Sequence, residues 1–408
     1  MNILVQKYGG SSVADVPRLK AVARRIIGAK EAGYQVVAVV SAQGDTTDEL
    51  LKKAREISQS PPKRELDMLL STGEQISIAL LAMAIAKEGH GVISLTGAQG
   101  GICTDSLYTR AKILRVDPAR VSKELSDGRI VIIAGFQGIN DMGDITTLGR
   151  GGSDTTAVAL AAALNATACE IYTDVRGVYT ADPRLVPTAR KLEEISHGEM
   201  LELASLGAAI LQPRAVELAA AWGVTIHVRS SFSDALGTLV KGDDLMEKKR
   251  VVSGVTRDMN VVKVMLVDVP DRPGVAHEIF STLAADGINV DMIVQTTKQG
   301  PVTDLLFTIC QDDYALTREL IGQLSKELDI SDVLYNDRLA KVSIVGAGMM
   351  SNPGVAAAMF GTLAENGINI EVISTSEIKV SCLIAAEKVE TAVQAIHDRF
   401  RLGEELPV

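Results

Sequence analysis

Lys7-Tyr8-Gly9-Gly10-Ser11-Ser12 follows an apolar run that begins at Ile3, and Gly149-Arg150-Gly151-Gly152-Ser153-Asp154 opens an alanine-rich segment. The two stretches decide how the chain is read. Each has the order strand, glycine turn, helix, which aims backbone N–H groups and a helix N-terminus at an anion. Neither is a Walker loop or a protein-kinase glycine loop. Two such turns in one domain fit a ligand with several phosphates, or a phosphate donor beside an anionic acceptor. That is the chemistry of a small-molecule kinase.

Working outward from the first turn, the spacing predicts a strand over 3–6, a helix over 16–32, a valine-rich strand over 35–41 and a helix over 46–57. Ser60-Pro61-Pro62 is a break. A helix over 64–87, ended by Gly89, and apolar strands over 91–95 and 129–134 follow. This alternation, up to about residue 241, implies an α/β domain with a largely parallel sheet covered on both faces.

The chain has 408 residues, enough for two or three domains, and its 47% apolar and 23% charged residues describe an ordered globular protein. A net charge of −10 argues against nucleic acid or an anionic membrane as partner, so any anion site must be local. Gln6 and Lys7 interrupt the short apolar run at the start, and the most apolar stretch, 157–164, is too short to cross a bilayer. Cys103, Cys169, Cys310 and Cys382 stand singly, which argues against disulfides and zinc and fits a reducing cytoplasm.

After Gly242-Asp243-Asp244 the charged run Glu247-Lys248-Lys249-Arg250 marks a boundary. Beyond it lies a repeat with a period of 80 residues: Pro273-Gly274-Val275-Ala276 recurs as Pro353-Gly354-Val355-Ala356, and Gly287-Ile288-Asn289 as Gly367-Ile368-Asn369. Eleven of the seventeen positions from 273 to 289 are identical at that offset. Each unit reads strand, helix, strand, strand, helix, strand. Pro-Gly frees backbone donors at the helix start, and the later glycine permits a left-handed turn. A duplicated structural module explains this, as does a pair of small-molecule sensors, which is the reading preferred here.

The chain resembles the aspartokinases over essentially its whole length. The likeness rests on 5–12, Val40-Ser41-Ala42, 45–50, Ser71-Thr72-Gly73-Glu74, Ala134-Gly135-Phe136-Gln137-Gly138, 146–156, Tyr172-Thr173-Asp174 and 177–184, followed by the tandem repeat. The resemblance implies an amino-acid-kinase fold, a three-layer αβα sandwich, over 1–245. Two ACT domains of βαββαβ type should follow, the first over 263–337, inserted into a second made of 246–262 plus 338–408. It implies transfer of phosphate from ATP, with Mg²⁺, to L-aspartate, the first step toward lysine, threonine, methionine and isoleucine, with feedback by lysine and threonine.

Residue by residue, Lys7 is either a solvated strand-end lysine or an ammonium that stabilises the transferring phosphoryl group. Tyr8, Gly9, Gly10 and Ser41 fit beside the phosphates. Glu74, in a mostly apolar helix, is a satisfied helix-face charge or a partner for a substrate ammonium. The resemblance favours the second, with help from Thr47. Arg150, Gly151, Gly152 and Ser153 fit the aspartate α-carboxylate, since a guanidinium matches a carboxylate bidentately. Ser153 and Asp154 would also serve as a helix N-cap. The β-carboxylate acceptor, with a reference pKa of about 3.9, needs no general base. Asp154 is therefore assigned to positioning, through Lys7 or Mg²⁺, and no metal ligand set is assigned to protein side chains.

By the same resemblance, Thr173, Asp174, Tyr179 and Ile210 should surround the nucleotide, with Asp182 and Arg184 toward its phosphates; the bland alternative for 181–184 is a proline turn. The effector residues would be Asp271, Gly274, Val275, Ala276, Asn289, Asp291 and Gln295 in the first repeat, and Val355, Ala356, Asn369, Ile370 and Ser376 in the second. Asp271 is matched by Ser351 at the repeat offset, so the two sites should differ. Two departures stand out: Ala209 where some relatives have lysine near the adenine, and Tyr108-Thr109-Arg110-Ala111-Lys112, to which no role is assigned. Assembly is expected as a homo-oligomer, or as α2β2 if Met246 is an internal start. The rival readings are a related kinase acting on glutamate, acetylglutamate or a nucleotide, and a non-catalytic amino-acid-binding regulator.

Overall fold

The computed structural model describes residues 2–208, 210–242, 251–298 and 300–404. Ala209, Met246 and the boundary run 247–250 lie outside them, as do Asp243 and Asp244. The chain forms two compact units: Met1–Tyr179 with Lys191–Ser205 and Ala209–Met246, and Thr180–Arg190 with Leu206–Ala208 and Glu247–Val408.

The first unit is built on an eight-stranded sheet. Ile3–Tyr8 lies at its centre, paired parallel with Gln35–Val40 on one side and Ala168–Thr173 on the other. Beyond Gln35–Val40 come Ile130–Ala134 and Val92–Leu95, both parallel; beyond Ala168–Thr173 comes Ile226–Ser230, also parallel. Thr238–Lys241 pairs antiparallel with Ile226–Ser230, and Glu194–Ser196 closes that edge in parallel. Val36 to Val40 are all fully buried, as expected of a strand covered on both faces. On one face Tyr8, Val36, Ala38 and Val40 pack with Ile26, Ile78, Leu81 and Ile85 of the helices Val16–Glu31 and Thr72–Lys87. The helix Gly152–Ala163 covers the other. This is the three-layer amino-acid-kinase sandwich.

Two local details differ from the sequence reading. The first strand runs on to Tyr8, because Lys7 and Tyr8 are laddered to neighbours on both sides. The helix expected over 64–87 is two helices, Lys63–Leu70 and Thr72–Lys87, with the joint at Ser71. At this joint the Ser71 carbonyl accepts from Gln137 Nε2 at 2.8 Å. The run Lys63–Lys87 is apolar enough to cross a bilayer by composition, at a hydropathy of 1.6. Here its inner face, including Glu74, is buried within the unit.

In the second unit the two repeats form two four-stranded sheets. The first is Asp291–Thr297, Val302–Ile309, Val262–Pro270 and Asp332–Asn336 in spatial order, with helices Val275–Ala285 and Tyr314–Glu327. In the second sheet Gly254–Asp258 pairs antiparallel with Leu339–Val345. It takes the edge that Asp332–Asn336 takes in the first. Gly274 (φ 101°) and Gly354 (φ 98°) open the two equivalent helices in the left-handed region that Gly tolerates. The strand Val262–Pro270 carries a register shift between Leu266 and Val269. The second repeat has two residues more than the first between its strand and the Pro-Gly turn, so the repeat offset upstream is 78 rather than 80 and Lys263 is the counterpart of Lys341. The ion pairs Lys263–Glu371 and Lys341–Asp291 are thus equivalents across the pair of sheets.

Thr180–Arg190 belongs to this second unit. Ala181 and Val186 are buried in the core that holds Val255, Ile344 and Ile396. The Val255 N–H donates to the Thr180 carbonyl at 2.8 Å, and Thr180 Oγ1 lies 3.0 Å from His397 Nε2.

Candidate active site

The strands Ile3–Tyr8, Gln35–Val40, Ile130–Ala134 and Ala168–Thr173 all point their C-terminal ends to one edge of the sheet. Chain order reverses there, since the two partners of the first strand, Gln35–Val40 and Ala168–Thr173, lie on opposite sides of it. Ligands of open α/β sheets bind at such a switch point.

Gly9 and Gly10 turn the chain out of the first strand. A Cβ on Gly10 would lie 2.7 Å from the Ala42 carbonyl oxygen, and one on Gly9 would lie 3.6 Å from Lys7 Nζ. The turn is therefore pressed against the end of the second strand, where Ser41 N–H donates to the Tyr8 carbonyl. Lys7 Nζ meets Asp154 Oδ1 at 2.6 Å as a close ion pair rather than an aligned hydrogen bond.

The second turn is set by Gly149 (φ 78°) and Gly151 (φ 68°). Gly151 itself is the N-cap, and no side chain caps the helix. Ser153 and Asp154 fall within its first turn, both buried, so the capping role open to them in the sequence is not the one they take. Ser153 instead packs against Gly135 at the end of Ile130–Ala134, where a Cβ would come within 2.6 Å of its Oγ. Arg150 is exposed, with no ion-pair partner among the described residues.

Glu74 is 2% exposed. Its Oε1 accepts from the Ala42 N–H at 3.1 Å, while Oε2 is buried with no hydrogen-bond partner among the described residues. Burial pushes its carboxyl up to about 7. Gly73 permits this approach, for a Cβ there would sit 2.8 Å from Ala42 Cβ. Thr47 is half-buried in the first turn of Thr46–Ile57. The structure thus gathers Lys7, Gly9, Gly10, Ser41, Glu74, Ser153 and Asp154 at one sheet edge: a cation held by a carboxylate, a backbone cradle, and a carboxylate oxygen lacking a donor.

A model of the amino acid kinase family matches residues 2–230, and ACT-domain models match 263–328 and 342–400. An aspartokinase of Mycolicibacterium smegmatis is 51% identical over 408 residues, covering 99% of this chain and 97% of the relative. The chain belongs to the aspartokinase family. An aspartokinase of Bacillus sp. (strain MGA3) is 50% identical, with 99% and 98% covered. Among solved structures, E. coli aspartokinase III in complex with aspartate and ADP superimposes with a TM-score of 0.82 at 27% identity, covering 98% of this chain and 99% of that one. The same enzyme in complex with lysine and aspartate gives 0.77 at 27% identity, with the same coverage. The chain is a kinase enzyme of this family.

Among the remaining residues expected at the nucleotide, Thr173 Oγ1 donates to Asp174 Oδ1 at 2.9 Å, and the Thr173 carbonyl accepts from Ser231 N–H. Ser231 Oγ in turn lies 2.6 Å from Ser12 Oγ, tying the first glycine turn to this strand end. Sequence reasoning quoted Ser12 within the first glycine turn without giving it a role, and missed Ser231, which stands apart from the quoted motifs. Tyr179 bridges to Lys191, and Ile210 is half-buried. Asp182 and Arg184 fall in the second unit, ion-paired with each other.

In the first repeat, Asp271, Gly274, Val275, Ala276 and Gln295 line a cavity of about 350 Å³ together with Arg272. Asn289 and Asp291 are not among its lining residues, and Asp291 is held by Lys341 at 2.6 Å. In the second, Val355, Ala356 and Ile370 pack on the core, Asn369 is exposed, and Ser376 N–H donates to the Lys379 carbonyl.

Proposed function

We propose that the first unit transfers the γ-phosphoryl group of ATP to the β-carboxylate of L-aspartate, giving 4-phospho-L-aspartate and ADP. The observation that carries the acceptor is Glu74: a buried carboxylate oxygen without a donor suits an ammonium group. In this reading Glu74 takes the α-ammonium, with Thr47 beside it. Arg150 and Ser153, with the amides of Gly151 and Gly152, take the α-carboxylate. Lys7 stabilises charge gathering on the transferred group, and Asp154 fixes the direction of its ammonium. Gly9, Gly10 and Ser41 cradle the phosphates, and Thr173, Asp174, Tyr179 and Ile210 border the nucleoside. The acceptor is already ionised near neutral pH, so catalysis is alignment and charge stabilisation.

Mg²⁺ fits this arrangement as an ion carried by the nucleotide. Among the described residues no group of three or more His, Cys, Asp or Glu could hold a metal, and Mg²⁺ commonly binds phosphates, water and one or two carboxylates. Asp154 is the carboxylate at hand, and the ion would neutralise phosphate charge.

The paired repeats read best as sensors of lysine and threonine. The cavity at Gly274 offers helix-terminal amides for a carboxylate, and Asp271 for an ammonium. Because Asp291 is committed to Lys341, Asp271 is the favoured acceptor. A coupled ADP-release assay offering L-aspartate, L-glutamate and N-acetylglutamate tests the assignment. Turnover with aspartate and an absolute need for Mg²⁺ are expected; preference for another acceptor overturns it.

A further inference from the structure

Asp67 lies in the helix Lys63–Leu70 and is fully buried. Among the described residues no cation partners it. Its charge is met instead by three hydrogens. Thr109 N–H and Thr147 N–H each donate to Oδ2 at 2.9 Å, and Thr147 Oγ1 donates to Oδ1 at 2.6 Å. A buried carboxylate without a cation is costly, and is kept where its hydrogen bonds fix a geometry.

The geometry concerned is the stub of the second glycine turn. Thr147 ends the strand Ile145–Thr147, three residues before Arg150. Thr109 sits at φ 69°, a conformation a non-glycine residue holds only when its surroundings impose it. The two strips are joined by Ala111 N–H donating to the Thr147 carbonyl at 2.9 Å. At the far side Arg214 donates to the carbonyls of Leu148 and Ala111, at 3.1 and 3.0 Å. Asp67 and Arg214 therefore pin the same two strips through different atoms, and Gly149 leaves the frame where a Cβ would lie 3.1 Å from the Thr109 carbonyl oxygen.

We propose that Asp67 is a positioning residue for the acceptor site: by fixing Thr109 and Thr147 it sets where the Arg150 guanidinium and the amides after it stand. This rests on the reading of Arg150 as the clamp for the aspartate α-carboxylate. A bidentate guanidinium–carboxylate contact is directional, so a displaced stub weakens the acceptor and leaves the nucleotide untouched. The segment 108–112, which carried no role in the sequence, gains one as half of the frame. Arg64, one turn earlier on the helix, adds to it by gripping Asp144, which also accepts from Tyr108 Oη at 2.8 Å.

The test compares Asp67→Ala, Asp67→Asn, Thr147→Val and Arg150→Ala in the full-length protein. We measure aspartate KM, kcat, nucleotide Kd and melting temperature. Asp67→Ala should raise aspartate KM at least about tenfold with nucleotide Kd within about twofold. Asp67→Asn should restore most of it, because the amide can donate to Thr147 Oγ1 while its oxygen accepts both N–H groups. Thr147→Val, which leaves the backbone bonds in place, should raise KM about threefold and serves if Asp67→Ala does not fold. A lowered melting temperature with unchanged aspartate KM in both Asp67→Ala and Thr147→Val overturns the proposal. So does equal loss of aspartate and nucleotide. An unchanged KM in Arg150→Ala overturns the underlying reading of the acceptor site instead.

Discussion

Lys7 Nζ and Asp154 Oδ1 stand 2.6 Å apart, joining the end of the central strand to the first turn of the helix Gly152–Ala163. Both side chains are largely enclosed, at 13% and 8% exposure, so solvent does not screen the pair away. The contact orients a cation before any substrate arrives, which is what electrostatic preorganisation requires.

Replacing Lys7 by Ala should lower kcat at least about a hundredfold with a small change in aspartate KM, because the charge acts mainly on the transition state. Steady-state kinetics check this. Near-normal turnover would remove Lys7 from the chemistry.

Glu74 gives a pH signature. Its folded pKa, about 7, lies above the value near 4.3 of an unfolded glutamate, so folding favours the protonated form. Stability from this group is complete below the unfolded value and is lost as pH rises through about 7, amounting to about 4 kcal/mol. Ligand-free Glu74→Gln should therefore melt higher than the parent at pH 8 and alike at pH 5. Aspartate affinity of the parent should strengthen from pH 6 to pH 8 as the carboxylate ionises. The variant should bind aspartate weakly at every pH; an unaltered pH profile in it would discard the ammonium role.

Gly10→Ala places a methyl group 2.7 Å from the Ala42 carbonyl oxygen, and backbone must move to admit it. Nucleotide affinity should fall about tenfold or more, read by titration calorimetry, while the melting temperature changes by a few degrees. Undiminished binding would show that this turn does not cradle phosphate.

Asp271→Ala should relieve inhibition by lysine plus threonine while uninhibited activity stays at the parent level. Inhibition curves for the two amino acids, separately and together, measure it. Full activity of the parent in millimolar concentrations of both would show that the repeats sense something else.

Much of this architecture can be read from the chain because the two glycine turns and the Pro-Gly repeat are local signals, tied to backbone conformations that few residues adopt. What could not be read depends on contacts distant in sequence. Gln137 meets the joint at Ser71 from far along the chain, and nothing within 64–87 announces it. Asp67 looks like one more helix-face charge until Thr109 and Thr147 fold onto it. The equivalence of Lys263 with Lys341 is hidden by the two additional residues between Lys341 and Pro353, which break the offset of 80. The commitment of Asp291 to Lys341 follows from that hidden pairing.

The burial of Ala181 and Val186 in the core beside Ile396 bears on how such a chain can be divided. A polypeptide beginning at residue 246 would carry both repeats yet leave unfilled the space of those two side chains, with Val255 N–H deprived of the Thr180 carbonyl. A longer chain offering its own 180–190 could complete such a fragment, in the manner of subunit complementation. By itself the fragment should be less stable than the same repeats within the whole chain, and an added peptide spanning 180–190 should raise its melting temperature.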